Sequence, residues 1–352
     1  MTTNWHPHTS IAAFALALSA FLLSGCSSGN TPPQTGTSTV SAKPTPTDAA
    51  TDEDTIVRLS QEKSGVPQPG QRMFSSPEEA AAVFKDAVAA KDRRTLVAIF
   101  GNDGQQLVFS GDRVQENNDL DAFARRMGEY LHVDRPTEND AVLRVGRENW
   151  PFPIPVVKSN DGWFFDTAAG REELLNRHIG ENEFNAIAVC RAFVAAEKEY
   201  ASRDRTGEGV PQYAQHFMSQ PGKKDGLYWE VAPGQDLSPM GPLIAEARSE
   251  GYPTSRPADH KPHPYKGYLF HILKAQGPAA PGGAMSYVAD GKMTKGFAMV
   301  ASPNKYGASG IMTFIVAKDG KVSEKNLGEN TREAVSAMNE YNPDQTWTEV
   351  KD

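Results

Sequence analysis

Between Ser27 and Met73 the chain carries no Phe, Trp or Tyr, and this gap limits what can fold. At the whole-chain aromatic share of 9%, a stretch of that length should hold about four rings. Thr, Ser, Pro and Gln stand there instead (TPPQTGTSTVSAKPTPT). Such a composition buries too little apolar area to offset the entropy of ordering the chain. The pattern predicts a disordered tether over 26–73, with a short transient helix around Ile56–Leu59. The folded body is thereby confined to about 280 residues, room for two small domains. With 44 Asp+Glu against 36 Lys+Arg and a formal charge of −8, the chain lacks the cation excess that phosphate contacts need. A general nucleic-acid binder is thus excluded.

Ahead of the tether, Ile11–Leu23 (IAAFALALSAFLL) is an apolar run too short to span about 30 Å of hydrocarbon but of the length of a signal-peptide core. Leu23, Ser24, Gly25 and Cys26 follow at once, and this string resembles the bacterial lipobox. The resemblance implies that residues 1–25 are a signal peptide and that Cys26 is the lipidation site. A lipid-anchored body with the membrane as its first partner follows. Ser27 in place of Asp after the cysteine favours, by analogy, the outer membrane facing the periplasm in a diderm cell. The leader departs from the usual pattern in having no Lys or Arg within Met1–Ser10. No other apolar run approaches membrane length.

Order is expected from Phe74. Ser76-Pro77-Glu78-Glu79 has the capping-box spacing with proline at the first helical position, and Ala80, Val83, Phe84, Ala87 and Val88 then form one apolar face. Asp92 caps a second short helix stopped by Gly101, and Asp119–Leu131 reads as a third. The proline-spaced Trp150–Pro155 (WPFPIP) reads as a sheet edge or a chain reversal, because each proline removes a ladder donor. Val156-Val157 and Trp163–Phe165 flank Asn160-Asp161-Gly162, which is hairpin chemistry. Region 74–177 is therefore predicted to be an α+β domain, similar in order and size to the cone-shaped nuclear-transport-factor-2-like domains, whose helices cover a curved antiparallel sheet.

Region 178–352 is predicted to be a second α+β domain. Its apolar positions Phe184, Ile187, Val189, Cys190, Phe193, Val194 and Tyr200 wrap most of a long helix, Glu181–Arg203. Short helices are expected at Pro211–Met218 and Gly241–Ser249. Strands are expected at Tyr268–Leu273, Phe297–Ala301, Met312–Ala317 and Val322–Lys325. A long helix on a small antiparallel meander is similar in layout to the globular heads of type IV pilins and pseudopilins. A preceding domain and the absence of a membrane-spanning helical half mean that pilus assembly is not implied.

Across about 280 residues from Phe74, the chain resembles a bacterial exported family known as the domain-of-unknown-function 2950 family. The resemblance is carried by Trp150–Pro155, Asp166–Glu173 (DTAAGREE), Val189–Phe193 (VCRAF), Gly222–Trp229 (GKKDGLYW), Ala275–Gly283 (AQGPAAPGG) and Tyr306–Val316 (YGASGIMTFIV). It implies no activity.

Among chemistry-bearing residues, Cys190 is the one cysteine left once Cys26 is acylated. A thiol–base pair with His178 needs hydrogen-bond reach, which a spacing of 12 residues does not promise, and cysteine on an apolar helix is ordinarily core. Asp204, Thr206 and Glu208 loosely follow a calcium loop, but Thr206 occupies the third position and Gln215 the twelfth. His260, His263 and His271 lack zinc-ligand spacing. Asp166 with Glu172 and Glu173 offers an acid/base pair for glycan cleavage, or a helix first turn. No phosphate loop, Gly-x-Ser-x-Gly elbow or His-Glu-x-x-His is present. The sequence thus favours a non-enzymatic envelope protein that binds or scaffolds an envelope protein or small ligand, without a cofactor. A hydrolase with its site in the first domain and an accessory secretion or pilus component are the alternatives. The binding surface is expected at Trp150, Phe152, Asp166, Arg171 and His178, with a shared cleft near Trp150–Pro155 and Ala275–Gly283.

Overall fold

A computed structural model describes residues 65–232, 234–235, 237–254 and 262–351. Leu23, Ser24, Gly25, Cys26, the Ile56–Leu59 patch and His260 lie outside the described residues.

Order begins before Phe74. Gln71 is buried, and its Nε2 donates to the carbonyls of Ile99 (2.8 Å) and Phe165 (2.7 Å). Two hydrogen bonds to the folded body do here what an aromatic side chain would do elsewhere, so residues 65–73 are body rather than tether. Helix α1 (Pro77–Ala89) starts as its cap predicts, with Ser76 Oγ accepting from Glu79 N at 3.1 Å. The Glu79 carboxylate reaches one residue further back than a capping box requires and accepts from Ser75 N. Helix α2 (Arg93–Phe100) is capped by Asp92, which accepts from Thr95 N, and is stopped at Gly101 with φ 70°. After the short α3 (Gln105–Val108), α4 (Arg113–Glu129) begins six residues before the expected Asp119. Asp112, three residues before Gln115, supplies the earlier cap.

Five strands follow: β1 (Leu131–Asp134), β2 (Asp140–Val145), β3 (Trp150–Pro151), β4 (Val156–Ser159) and β5 (Gly162–Phe165). Their order is β1-β2-β4-β5 with β3 on β2, all antiparallel. The helices close over one face. At the centre of that core the Phe84 ring lies 5.2–5.8 Å from those of Phe100, Phe123, Phe152 and Phe165, separations at which aromatic pairs attract.

The next helix overturns an expected boundary. Instead of beginning at Glu181, α5 runs unbroken from Thr167 to Tyr200, so the division at 177/178 falls inside it. Gly170 and Gly180 read as interruptions, yet a helix-interior glycine costs only about 1 kcal/mol, which packing at both ends offsets. Leu174 on its first half belongs to the first core, whereas Ala186, Cys190 and Phe193 on its second half belong to the second. The helix is a spine shared by two modules. Phe184, counted in the apolar wrap, is 72% exposed.

In the second module come α6 (Gly241–Ser249), β6 (Tyr268–Leu273), the two-residue strands β7 (Ala275–Gln276), β8 (Met285–Ser286), β9 (Val288–Ala289) and β10 (Lys292–Met293), then β11 (Ala298–Pro303), β12 (Met312–Ala317), β13 (Val322–Asn326), α7 (Thr331–Ser336) and β14 (Thr348–Glu349). The large sheet has the order β14-β13-β12-β11-β6, antiparallel throughout. Phe193 of α5 packs edge-on against Phe297 at 5.6 Å. Pro211–Met218 is not the helix expected, because neighbouring chain takes its amides and carbonyls: Tyr213 N donates to Met293 O, Ala214 N to the Glu197 carboxylate, and Leu227 N to His216 O. The protein is α+β. Among the described residues no helix is long and apolar enough to cross a membrane.

Candidate functional site

Three polar side chains at the start of α4 hold the modules together. Asp112 accepts from Gln115 N at 3.1 Å as the cap of α4, while its second oxygen accepts from Tyr252 Oη at 2.9 Å and Gly267 N at 3.0 Å. Gly267 has φ 77°, and a Cβ there would stand 2.5 Å from Asn182 Nδ2, so the close approach needs glycine. Gln115 Nε2 donates to Asn182 Oδ1 of α5, and Asn118 Nδ2 donates to Glu250 O at 2.9 Å. Asp112→Ala is expected to cost about 3 kcal/mol, since it removes a cap and strands a buried hydroxyl and amide. Urea unfolding tests this; a change within about 0.5 kcal/mol would refute the clamp.

Helical spacing then brings functional groups face to face. Gln115 and Asp119 lie four residues apart on α4, as do His178 and Asn182, and Glu181 and Asn185, on α5. The Asn182 amide is oriented by its neighbours, because Nδ2 donates to Ser309 O at 2.9 Å while Oδ1 accepts from Gln115. The same Nδ2 lies 3.2 Å from His178 Nε2. Because an amide nitrogen only donates, Nε2 is the unprotonated acceptor and Nδ1 carries the proton. Burial agrees, holding His178 down at about 4. Its Nδ1 faces Asp119 Oδ2 at 3.8 Å, beyond hydrogen-bond length. Burial, and then the charges of Glu181, Asp112 and Glu116, push the Asp119 carboxyl well above the ordinary carboxylate range. Glu181 is raised by burial, partly offset by Lys266.

Asp119 lines two spaces. One is an apolar cavity of about 70 Å³ walled by Phe84, Phe100, Phe123 and Phe152, with His178 also on its lining. The other is a polar cleft of about 430 Å³ between the modules, lined by Gln115, Asn118, Glu181, Asn185, Tyr252 and Lys266 among others. The first has room for a short apolar group; the second is within the size range of small-molecule sites.

Residues 71–350 match the family model DUF2950, described as a protein of unknown function. The chain belongs to the DUF2950 family. The matched span opens at Gln71, the residue whose buried amide locks the chain to the first module, and it contains every residue of the seam between the modules. No curated protein and no solved structure matches the chain.

Within this DUF2950 body the expected surface does not assemble. Every residue from Trp150 to Val157 is buried, and Trp150 packs against Phe123 and Phe152 at 6.5 and 6.0 Å. The prolines remove ladder donors without exposing the aromatics between them. Asp166 is buried and accepts from Gly65 N at 3.0 Å. Arg171 is half-buried and makes no ion pair among the described residues. Of the five expected residues, Phe152 and His178 alone line the apolar cavity. Ala275–Gly283 is braced by Tyr341 and Asn342 and does not line the cleft.

The remaining candidates have structural occupations in the DUF2950 fold. Cys190 is fully buried, its thiol pushed up to about 12 by burial, and twelve helical residues place it about 18 Å from His178 along the axis. Asp204 accepts from the amides of Thr206, Gly207 and Gly209, so its own loop fills the carboxylate's lone pairs, and Glu208 pairs with Lys292 at 3.3 Å. Glu173 pairs with Arg177, and His263 lines an apolar groove of the second module. Asp112, Gln115, Asp119, Asn182, Tyr252 and Lys266 escaped the sequence reading. Asp112-Arg113-Val114-Gln115 does have capping-box spacing, the one local signal that points to this place.

Proposed function

We propose that the protein is a lipid-anchored lipoprotein of the bacterial cell envelope that binds a small polar ligand in the cleft between its modules. The anchor is supported by the Leu23-Ser24-Gly25-Cys26 string directly after an apolar core, and by the aromatic-free stretch that follows. In a diderm cell Ser27 favours the outer membrane, with the body in the periplasm. The binding half rests on one observation: the Asp119 carboxyl makes no hydrogen bond among the described residues and faces His178 Nδ1 at 3.8 Å, while it lines both the apolar cavity and the cleft. A carboxyl kept out of the fold's own bonding is available to a ligand.

Cys26→Ala is expected to abolish labelling by a radioactive fatty acid and to shift the protein wholly from the membrane to the soluble fraction. Unchanged attachment would refute the anchor.

A hydrolytic site in the first module is the second reading, favoured by the carboxyl and imidazole that line its cavity together. Against it, the lone pair that a general base needs is engaged by Asn182. Turnover of an ester, peptide or glycan that disappears in Asp119→Asn would replace the binding reading with this one.

A further inference from the structure

The apolar cavity of the first module has a polar end that the fold leaves unused. His178 and Asp119 both lie on its lining and keep 22% and 23% of their side-chain surface exposed, so each can meet a ligand. The proton of His178 is fixed on Nδ1, because Nε2 accepts from Asn182, whose amide is oriented by the Ser309 carbonyl and by Gln115. Among the described residues that Nδ1–H has no acceptor within hydrogen-bond length, Asp119 Oδ2 standing 3.8 Å away. Burial and the neighbouring charges of Glu181, Asp112 and Glu116 raise the Asp119 carboxyl, which favours the form that carries an O–H. Two donors therefore flank one end of an apolar space.

The other polar groups on the lining do not alter that balance. Glu116 pairs with Arg93 at 3.3 Å and accepts from Gly111 N at 3.0 Å and from Ser110 Oγ at 3.4 Å. Gln106 carries both a donor and an acceptor and favours no ligand class. No Lys or Arg stands on the lining to balance a bound carboxylate, and an ammonium would set its own donors against the His178 N–H. A carbonyl oxygen has two lone pairs and no proton, so it can accept from both donors. Size sets the rest: a cavity of about 150 Å³ holds the six carbons of benzene, so about 70 Å³ takes an apolar body of about three.

We propose that the apolar cavity of the first module binds a small neutral carbonyl compound. Its apolar body lies against the phenylalanines, and its oxygen accepts from His178 Nδ1–H and from the Asp119 carboxyl. This site goes beyond the polar cleft, and the test separates the two. The full-length protein in detergent is titrated with 2-butanone, propionate and sec-butylammonium by saturation-transfer NMR, with empty micelles as the blank. The ketone is expected to bind at least about five-fold more tightly than either ion. His178→Phe, which removes the donor, and Leu107→Trp, which fills the cavity from a partly buried position on its lining, should each weaken it about five-fold or more. Asp119→Asn still supplies a donor and should keep binding within about three-fold. Asn185→Trp, which fills the cleft alone, should leave it unchanged. In the unsubstituted protein the ketone should also shift the ring ¹⁵N–H resonance of His178, which keeps the placement testable if Leu107→Trp fails to fold. Tighter binding of propionate or the ammonium, or loss of ketone binding in Asp119→Asn, would overturn the ligand class. Ketone binding that survives His178→Phe and Leu107→Trp, or that is lost in Asn185→Trp, would overturn the placement and leave the cleft as the site. No binding of any probe would overturn the cavity site without touching the cleft.

Discussion

Gly170→Ala is expected to destabilise the protein by about 3–5 kcal/mol, a size reserved for overpacking that cannot relax. Helix propensity alone predicts the opposite sign, since alanine is favoured over an interior glycine by about 1 kcal/mol. The neighbours decide. A Cβ at Gly170 would stand 2.0 Å from the carbonyl oxygen of Pro153, 2.4 Å from its carbon and 2.7 Å from Ile154 N. All three are backbone atoms, and the segment that carries them is fixed by Phe152 and Ile154, both in the first core. Gly180 on the same helix has no atom within 4 Å of the Cβ it lacks, so Gly180→Ala should stabilise by about 0.5–1 kcal/mol. Urea midpoints with an unchanged slope would measure both. Two changes of the same sign would contradict the packing of the Trp150–Pro155 segment on the first turn of α5.

The second large effect depends on pH. Glu197 is wholly buried on α5. One oxygen accepts from Ala214 N at 2.8 Å, the other has no hydrogen-bond partner, and burial raises its carboxyl from 4.5 to about 8. Between those values the folded protein keeps a proton that the unfolded chain releases. Stability therefore falls as pH rises from about 4.5 to about 8 and levels off above. Glu197→Gln keeps an acceptor for Ala214 and has no proton to lose. The variant and wild type should have similar stability at pH 4.5, and the variant should be ahead by about 4 kcal/mol at pH 8. Urea titrations across that range are the measurement. Parallel stability curves would show that Glu197 titrates as if solvated, and the buried acid would have to be abandoned.

These two positions share a feature with the seam, in that each is set by groups distant in sequence. Asp112 and Gly267 are 155 residues apart, and Gln115 and Asn182 are 67 apart. A side chain's type is legible in a sequence, but its partner is not when loop closure between them is a property of the whole topology. Asp119 shows the consequence: among many carboxylates it has no local mark, and it becomes distinctive only once burial and the charges of Asp112, Glu116 and Glu181 surround it. The aromatic and proline cluster shows the converse error. WPFPIP carries a strong local signal for interrupted pairing, and that signal says nothing about which side of the chain faces water.

What the amino-acid sequence determined by itself is local. Ser76 and Asp92 cap their helices because a side-chain oxygen reaches an amide three residues on. Asn160-Asp161-Gly162 turns between β4 and β5 because Gly162, at φ 129°, tolerates what other residues resist. The pairing of β11 with β12 and of β12 with β13 follows from short connections between apolar runs, and the family span follows from motifs in series. The tertiary structure alone decided that α5 passes through two glycines as one spine, that the aromatic cluster is core, and that the functional candidates lie between α4 and α5. The reason is one of range: caps, turns and periodicity act over a few residues, whereas helix continuity, burial and the pairing of unsatisfied polar groups are settled when distant segments pack.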